Sequence, residues 1–171
     1  MQTASFSVLS AIIMKTMPTE KEQCQYPSEA IIPMLYKFIY KYESHNVNVL
    51  SDKQIKDNVS KSTLKDFEAA LSAIQKTGKF YNVRNNKEIN SLFNVFQGGK
   101  EPEVGFHFEK RTKKATFLNS LLYHLRNTLA HAGFKEVGNY YKIIDYDNMR
   151  LSAFGFIEKS VFLKLLSAFT K

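Results

Sequence analysis

Across much of this chain apolar residues recur every three to four positions, the spacing of a helix with one buried face. The pattern predicts a helix from Ser28 to Tyr42, with Ile31, Met34, Leu35, Phe38, Ile39 and Tyr42 on one side and Pro33 tolerable near its start. A second helical stretch opens near Ser51, breaks at Ser60–Thr63 and resumes as Leu64–Lys76, with Gly78 ending it. Asn86–Phe96 reads as a shorter helix, and Gln97–Gly105, with its Gly and Pro, as a loop. The strongest period runs from about Lys110 to Ala132 and stops at Gly133. Beyond it the pattern changes. Tyr140–Asp145 and Arg150–Phe156 read as two short strands joined by turn-forming residues through Asn148. A last helix, Glu158–Phe169, carries Val161, Phe162, Leu165, Leu166 and Phe169 on one face. The expected class is mainly α, with one short C-terminal β-hairpin followed by a final helix.

Length and composition narrow this picture without redirecting it. The 171 residues suit one domain over residues 28–171, with residues 1–27 as an extension or weak first helix. A hydrophobic share of 44% and a charged share of 23% are globular values. One cysteine, Cys24, excludes a disulfide framework and multi-cysteine zinc modules. No apolar run is long enough to span a bilayer, and no cation precedes the mildly apolar start as a secretory leader requires. A cytoplasmic protein without membrane contact is therefore expected.

The net charge of +8 raises the prospect of a polyanionic partner. At coarse scale it is featureless: residues 1–100 hold 13 cations and 9 acids, and residues 101–171 hold 11 and 7. At finer scale it is not. Between Glu109 and Glu136 no acid occurs, while Lys110, Arg111, Lys113, Lys114, Arg126 and Lys135 do. Lys110, Arg111, Lys113 and Lys114 are accordingly candidates for RNA phosphate contacts. Their alternative role is a solvated helix start, but cations there oppose the helix dipole.

The helix that follows has two unlike faces. Leu118, Leu121, Leu122, Leu125 and Leu129 fall within about 100° of arc, a core stripe. The other side carries Thr116, Ser120, Tyr123, His124, Asn127 and His131, where a solvated face would hold Glu and Lys. Short neutral hydrogen-bonding residues suit a half-buried seam. Thr116, Ser120, Tyr123, His124 and Asn127 are thus candidates for a homodimer interface.

Near its end stand Arg126, Asn127 and His131. Histidine exchanges a proton near neutral pH, arginine forks onto phosphate oxygens, and asparagine can orient either. Two copies packed antiparallel along this helix would gather both sets around one phosphodiester. No carboxylate lies nearby, so the segment predicts chemistry without a metal or cofactor: attack by a 2′-hydroxyl on its own phosphate. Taken singly, Arg126 and His131 also fit plain helix-end roles. His45, His107 and Cys24 receive no assignment, and Tyr140 and Tyr141 are expected to pack the hairpin. No Walker-type loop, dinucleotide fingerprint, Gly-x-Ser-x-Gly or His-Glu-x-x-His motif occurs.

At R-N-T-L-A-H, Arg126 to His131, the sequence resembles the HEPN superfamily, whose signature is an Arg followed by a polar residue and, four to six residues on, a His near the end of a long helix. The hairpin and final helix after the motif look like HEPN families carried on plasmids and other mobile elements. The resemblance implies an HEPN-like helical bundle that dimerises through the motif helix. It further implies a metal-independent endoribonuclease, a toxin or phage-defence effector, with catalytic Arg126, Asn127 and His131. RNA, a second copy and an antitoxin protein are its implied partners. The alternative is a non-catalytic RNA- or protein-binding dimerisation module. One departure stands out: members paired with a nucleotidyltransferase antitoxin carry Tyr two residues after the His, where this chain has Gly133.

Overall fold

Where the apolar positions lose the helical period, the chain forms strands, and more of them than a single hairpin. The computed structural model describes residues 29–82, 87–91, 93, 105–131, 133–148 and 150–171. A 3₁₀ turn at Glu29–Ile31 leads into α1 (Ile32–Ser44), and a second at Val47–Val49 into α2 (Asp52–Asp57) and α3 (Leu64–Thr77). Strands β1 (Lys79–Tyr81) and β2 (Gly105–Glu109) precede α4 (Phe117–Ala130). The chain closes with β3 (Phe134–Val137), β4 (Tyr140–Asp147), β5 (Arg150–Glu158) and α5 (Lys159–Thr170). Residues 87–91 are helical, within the expected 86–96 stretch. The extension at 1–27, with Cys24, lies outside the described residues.

The strands form one five-stranded mixed sheet in the order β1-β2-β5-β4-β3. β1 runs parallel to β2, and every other pair is antiparallel. The β3-β4-β5 meander turns at Gly138 and Asn148, which take left-handed φ values of 54° and 49°, the region Gly and Asn enter most readily. Mid-sheet, Gly155 allows β5 to close on β2: a Cβ there would lie 2.1 Å from the Gly105 carbonyl oxygen.

This sheet overturns the expected mainly α bundle with its lone C-terminal hairpin. The hairpin and the final helix are present, but as β4, β5 and α5 of an α/β fold. The missing strands have local causes. β1 is three residues long, too short for any period. β2 reads Gly-Phe-His-Phe-Glu, so its alternation is brief and sits against a glycine loop. Leu151 to Ile157 in β5 are all buried, because helices cover one face of the sheet and a second cluster covers the other.

The helical face holds the main core. α3, α4 and α5 pack on the sheet, and α1 lies over α4 and α5. Phe38, Phe67, Phe106, Phe108, Phe162 and Phe169 are wholly buried there. At roughly 1.5–3 kcal/mol for each such side chain, these rings are a large part of what offsets chain entropy. The opposite face is closed by Tyr81, Ile89, Phe93, Ile144, Leu151 and Phe154. Among the described residues no helix is long and apolar enough to cross a membrane.

α4 also begins later than the period suggested. Thr116 is its N-cap, its hydroxyl accepting the Asn119 N–H at 3.2 Å. Lys110 to Lys114 therefore stand in the loop between β2 and α4, ahead of the helix's N-cap and outside its first turn.

Candidate nucleic-acid interface

The neutral face of α4 is turned into the protomer, and its hydrogen bonds explain its composition. Asn119 Nδ2 donates to the Val47 carbonyl at 2.9 Å and the Leu50 carbonyl at 3.3 Å, pinning the chain after α1. Ser120 Oγ accepts the Arg111 backbone N–H at 3.2 Å. Thr116 is exposed and donates to Asp52. Of the residues expected at a homodimer interface, Ser120, His124 and Asn127 are buried inside one copy. Tyr123 is half-buried, with the Arg111 guanidinium 5.4 Å from its ring centroid. The polar seam is thus made with this chain's own loop, turn and sheet.

His124 is its deepest member. Nδ1 lies 2.7 Å from Asp145 Oδ2, and Nε2 lies 2.8 Å from the Glu109 carbonyl oxygen. A carbonyl only accepts, so Nε2 carries a proton, and a further proton shared between Nδ1 and Asp145 Oδ2 joins the buried ring to the buried carboxyl. Ser152 Oγ sits 3.2 Å from the same carboxylate oxygen. A Ser, a His and an Asp therefore meet, but not as a nucleophilic triad. The serine bonds to the carboxylate, the second imidazole nitrogen is occupied by backbone, and all three residues are buried. The cluster ties α4 to β2, β4 and β5.

At the end of α4 the three motif residues part company. Arg126 is half-buried; its Nε donates to Glu43 Oε1 at 2.5 Å and its Nη1 to Asn127 Oδ1 at 3.1 Å. Asn127 thus orients the arginine and not the histidine. His131 is the C-cap, exposed, its backbone N–H donating to the Asn127 carbonyl at 2.9 Å. Among the described residues its ring makes no hydrogen bond, ion pair or ring contact, with Arg126 or any other side chain.

The cationic loop supplies a second guanidinium to the same neighbourhood. Lys110 turns inward, its Nζ 5.6 Å from the Phe80 ring centroid. Lys113 and Lys114 are exposed, with no ion pair among the described residues. Arg111 bonds through Nη2 to the Asn48 carbonyl, while its Nε is buried without a partner. Both Arg111 and Arg126 come within electrostatic reach of Tyr42 of α1. Its hydroxyl is buried and unpartnered, and burial pushes its pKa up to about 12. Arg111 and Arg126 both pull that value down, and Glu43 and Tyr123 push it up, so all four side chains act on the phenol electrostatically.

The arrangement is two guanidiniums, two phenols and one exposed carboxylate, drawn from α1, the 110–114 loop and α4. Tyr42, Glu43 and Asn48 are absent from the sequence-based candidates. Tyr42 falls on the apolar stripe of α1, and nothing local links it to a helix some eighty residues on. Elsewhere, a groove between α2, α3 and the start of α4 has an apolar floor of Leu64, Leu71 and Phe117. Its charged lining is Asp52, Asp57 and Glu68 against Lys53 and Lys56, with Lys56 already paired to Glu68, so it offers phosphate no excess of positive charge. Among the described residues no three His, Cys, Asp or Glu side chains gather as metal ligands. Comparison of the chain with protein families, curated proteins and solved structures finds no match.

Proposed function

We propose that this protein binds RNA on the surface formed by the 110–114 loop and the last turns of α4. One observation carries the reading: Arg111 and Arg126, from separate segments, both act electrostatically on the buried Tyr42 phenol, and Arg126 is held by the half-exposed Glu43. A phosphodiester offers anionic oxygens to both guanidinium forks and can displace the half-exposed Glu43 from Arg126. Lys113 and Lys114 extend the cationic surface, and no acid interrupts residues 110–135.

A second reading is metal-independent cleavage, favoured by the exposed and unpartnered ring of His131 at the end of the helix that carries Arg126. In it the 2′-oxygen attacks its neighbouring phosphorus as the P–O5′ bond breaks. The proton leaves the 2′-oxygen, another reaches O5′, and the products are a 2′,3′-cyclic phosphate and a 5′-hydroxyl. His131 is the acid/base, Arg126 stabilises the phosphorane and Asn127 holds the arginine.

Purified protein incubated with labelled RNA in EDTA tests both. Binding that weakens in Arg126→Gln and in Lys113→Ala/Lys114→Ala supports the first reading, and no retardation of RNA by the wild type defeats it. Cleavage abolished by Arg126→Gln and by His131→Ala adds the second; RNA recovered intact removes it.

A further inference from the structure

The outer face of α1 carries two tyrosines that the fold does not use. Tyr36 and Tyr40 are 71% and 75% exposed, and among the described residues neither makes a hydrogen bond or ring contact. Both lie on the side of α1 turned away from Phe38 and Tyr42, which are buried. At 100° per residue, positions 36, 40 and 43 fall within about 60° of arc, so the two phenols and Glu43 form one stripe. Glu43 is the residue that holds Arg126. The stripe therefore ends at Arg126, and exposed Lys37 stands beside it.

Guanidiniums meet phosphates, whereas the flat faces of phenols meet bases. In a duplex those faces are hidden within the stack, about 3.4 Å apart along a strand. Tyr36 and Tyr40 are separated by about 6 Å along the helix axis. Two bases resting on the two rings are thus spread apart, which an unpaired strand accommodates and a duplex does not. A second copy is a poorer occupant. Two tyrosines of roughly 150–250 Å² from each copy bury about 600–1,000 Å² in all, short of the ~1,200–2,000 Å² that stable interfaces bury.

We propose that Tyr36 and Tyr40 stack successive unpaired bases of an RNA whose backbone is held at Arg111 and Arg126, so that the partner is single-stranded RNA. This rests on the RNA-binding reading above. It extends that reading from a phosphate site to a nucleotide platform.

The test measures full-length protein against three probes: a short labelled single-stranded RNA, the same strand annealed to its complement, and inorganic polyphosphate, which has charge but no bases. The variants are Tyr36→Ala, Tyr40→Ala and the ring-preserving Tyr36→Phe/Tyr40→Phe. All change exposed positions, and an unchanged urea midpoint checks the fold. The wild type should prefer the single strand over the duplex by at least about tenfold. Each alanine variant should lose about tenfold on the single strand while keeping its polyphosphate affinity, and the phenylalanine variant should retain both. The chain has no Trp, so its emission is tyrosine emission, and single-stranded RNA should quench it less in the alanine variants. Equal affinity for duplex and single strand overturns the proposal, as do alanine variants that bind the single strand like wild type. So does self-association that the alanine variants abolish while RNA binding stays intact. Wild-type protein that binds neither RNA nor polyphosphate overturns the underlying reading as well, an outcome distinct from polyphosphate binding without a tyrosine effect.

Discussion

Arg126 is held on two sides, by a carboxylate at Nε and an amide oxygen at Nη1, and the two restraints differ in kind. Asn127 is buried and fixes direction; Glu43 is half-exposed and supplies a competing charge. Removing that charge while keeping the shape should release the guanidinium for phosphate. Exposed ion pairs are worth about 0.2–1 kcal/mol, so Glu43→Gln is expected to tighten RNA binding by roughly 1.5- to 5-fold. Anisotropy titrations at fixed salt check this, and weaker binding in the variant would count against an RNA site at Arg126. Tyr42 makes a different prediction. Its folded-state value of about 12 lies above the ordinary 10.0, so the folded protein keeps a proton that the unfolded chain releases first. Stability linked to the phenol is therefore intact below 10.0 and is lost as pH climbs towards about 12. Urea midpoints across that interval should fall more steeply for wild type than for Tyr42→Phe; parallel profiles would contradict the buried, unpartnered hydroxyl.

At the scale of elements, α4 organises the molecule through polar contacts as much as through its leucines. The leucine stripe faces the core as its spacing predicts, with Leu118, Leu121, Leu122 and Leu125 buried. The middle of the polar face, Ser120, His124 and Asn127, is buried too, with the 110–114 loop bonding Ser120 and β2 and β4 bonding His124. His124 and Asp145 are both buried, at 2% and 1% side-chain exposure. Replacing one member of a buried ion pair leaves the other without compensation, at about 3–5 kcal/mol. Asp145→Asn should therefore lower the unfolding free energy by about that amount. Chemical denaturation measures it, and a loss below about 1 kcal/mol would mean the pair is not ionised. The same contacts separate legible from illegible features. Hydrophobic spacing is enough to find the leucines. It cannot distinguish a neutral face that meets a second copy from one that meets the chain's own sheet, since both want short hydrogen-bonding residues.

At the scale of the whole molecule, the +8 charge matters through its placement. Four cations, Arg111, Lys113, Lys114 and Arg126, face the proposed strand. If each neutralises one phosphate, the affinity for single-stranded RNA should fall with salt at a log–log slope of about −2.8. Lys113→Ala/Lys114→Ala should bring the slope to about −1.4. A salt-independent affinity, or a slope unchanged in the variant, would remove the loop from the site.

The sequence by itself determined the helices whose periods are long, such as Leu64–Thr77 and Lys159–Thr170, and the β4-β5 hairpin, two runs without helical period joined by turn-forming residues. It also determined the acid-free cationic window, because charge order along a chain is a local property. Only the tertiary structure decided that Gly105–Glu109 is a strand, that α4's neutral face is internal, and that Tyr42 and Glu43 stand beside Arg111 and Arg126. The physical reason is common to all three. Strand pairing, burial of a polar group and the meeting of distant side chains each depend on a partner far away in sequence, and no periodicity within one segment records which partner that is.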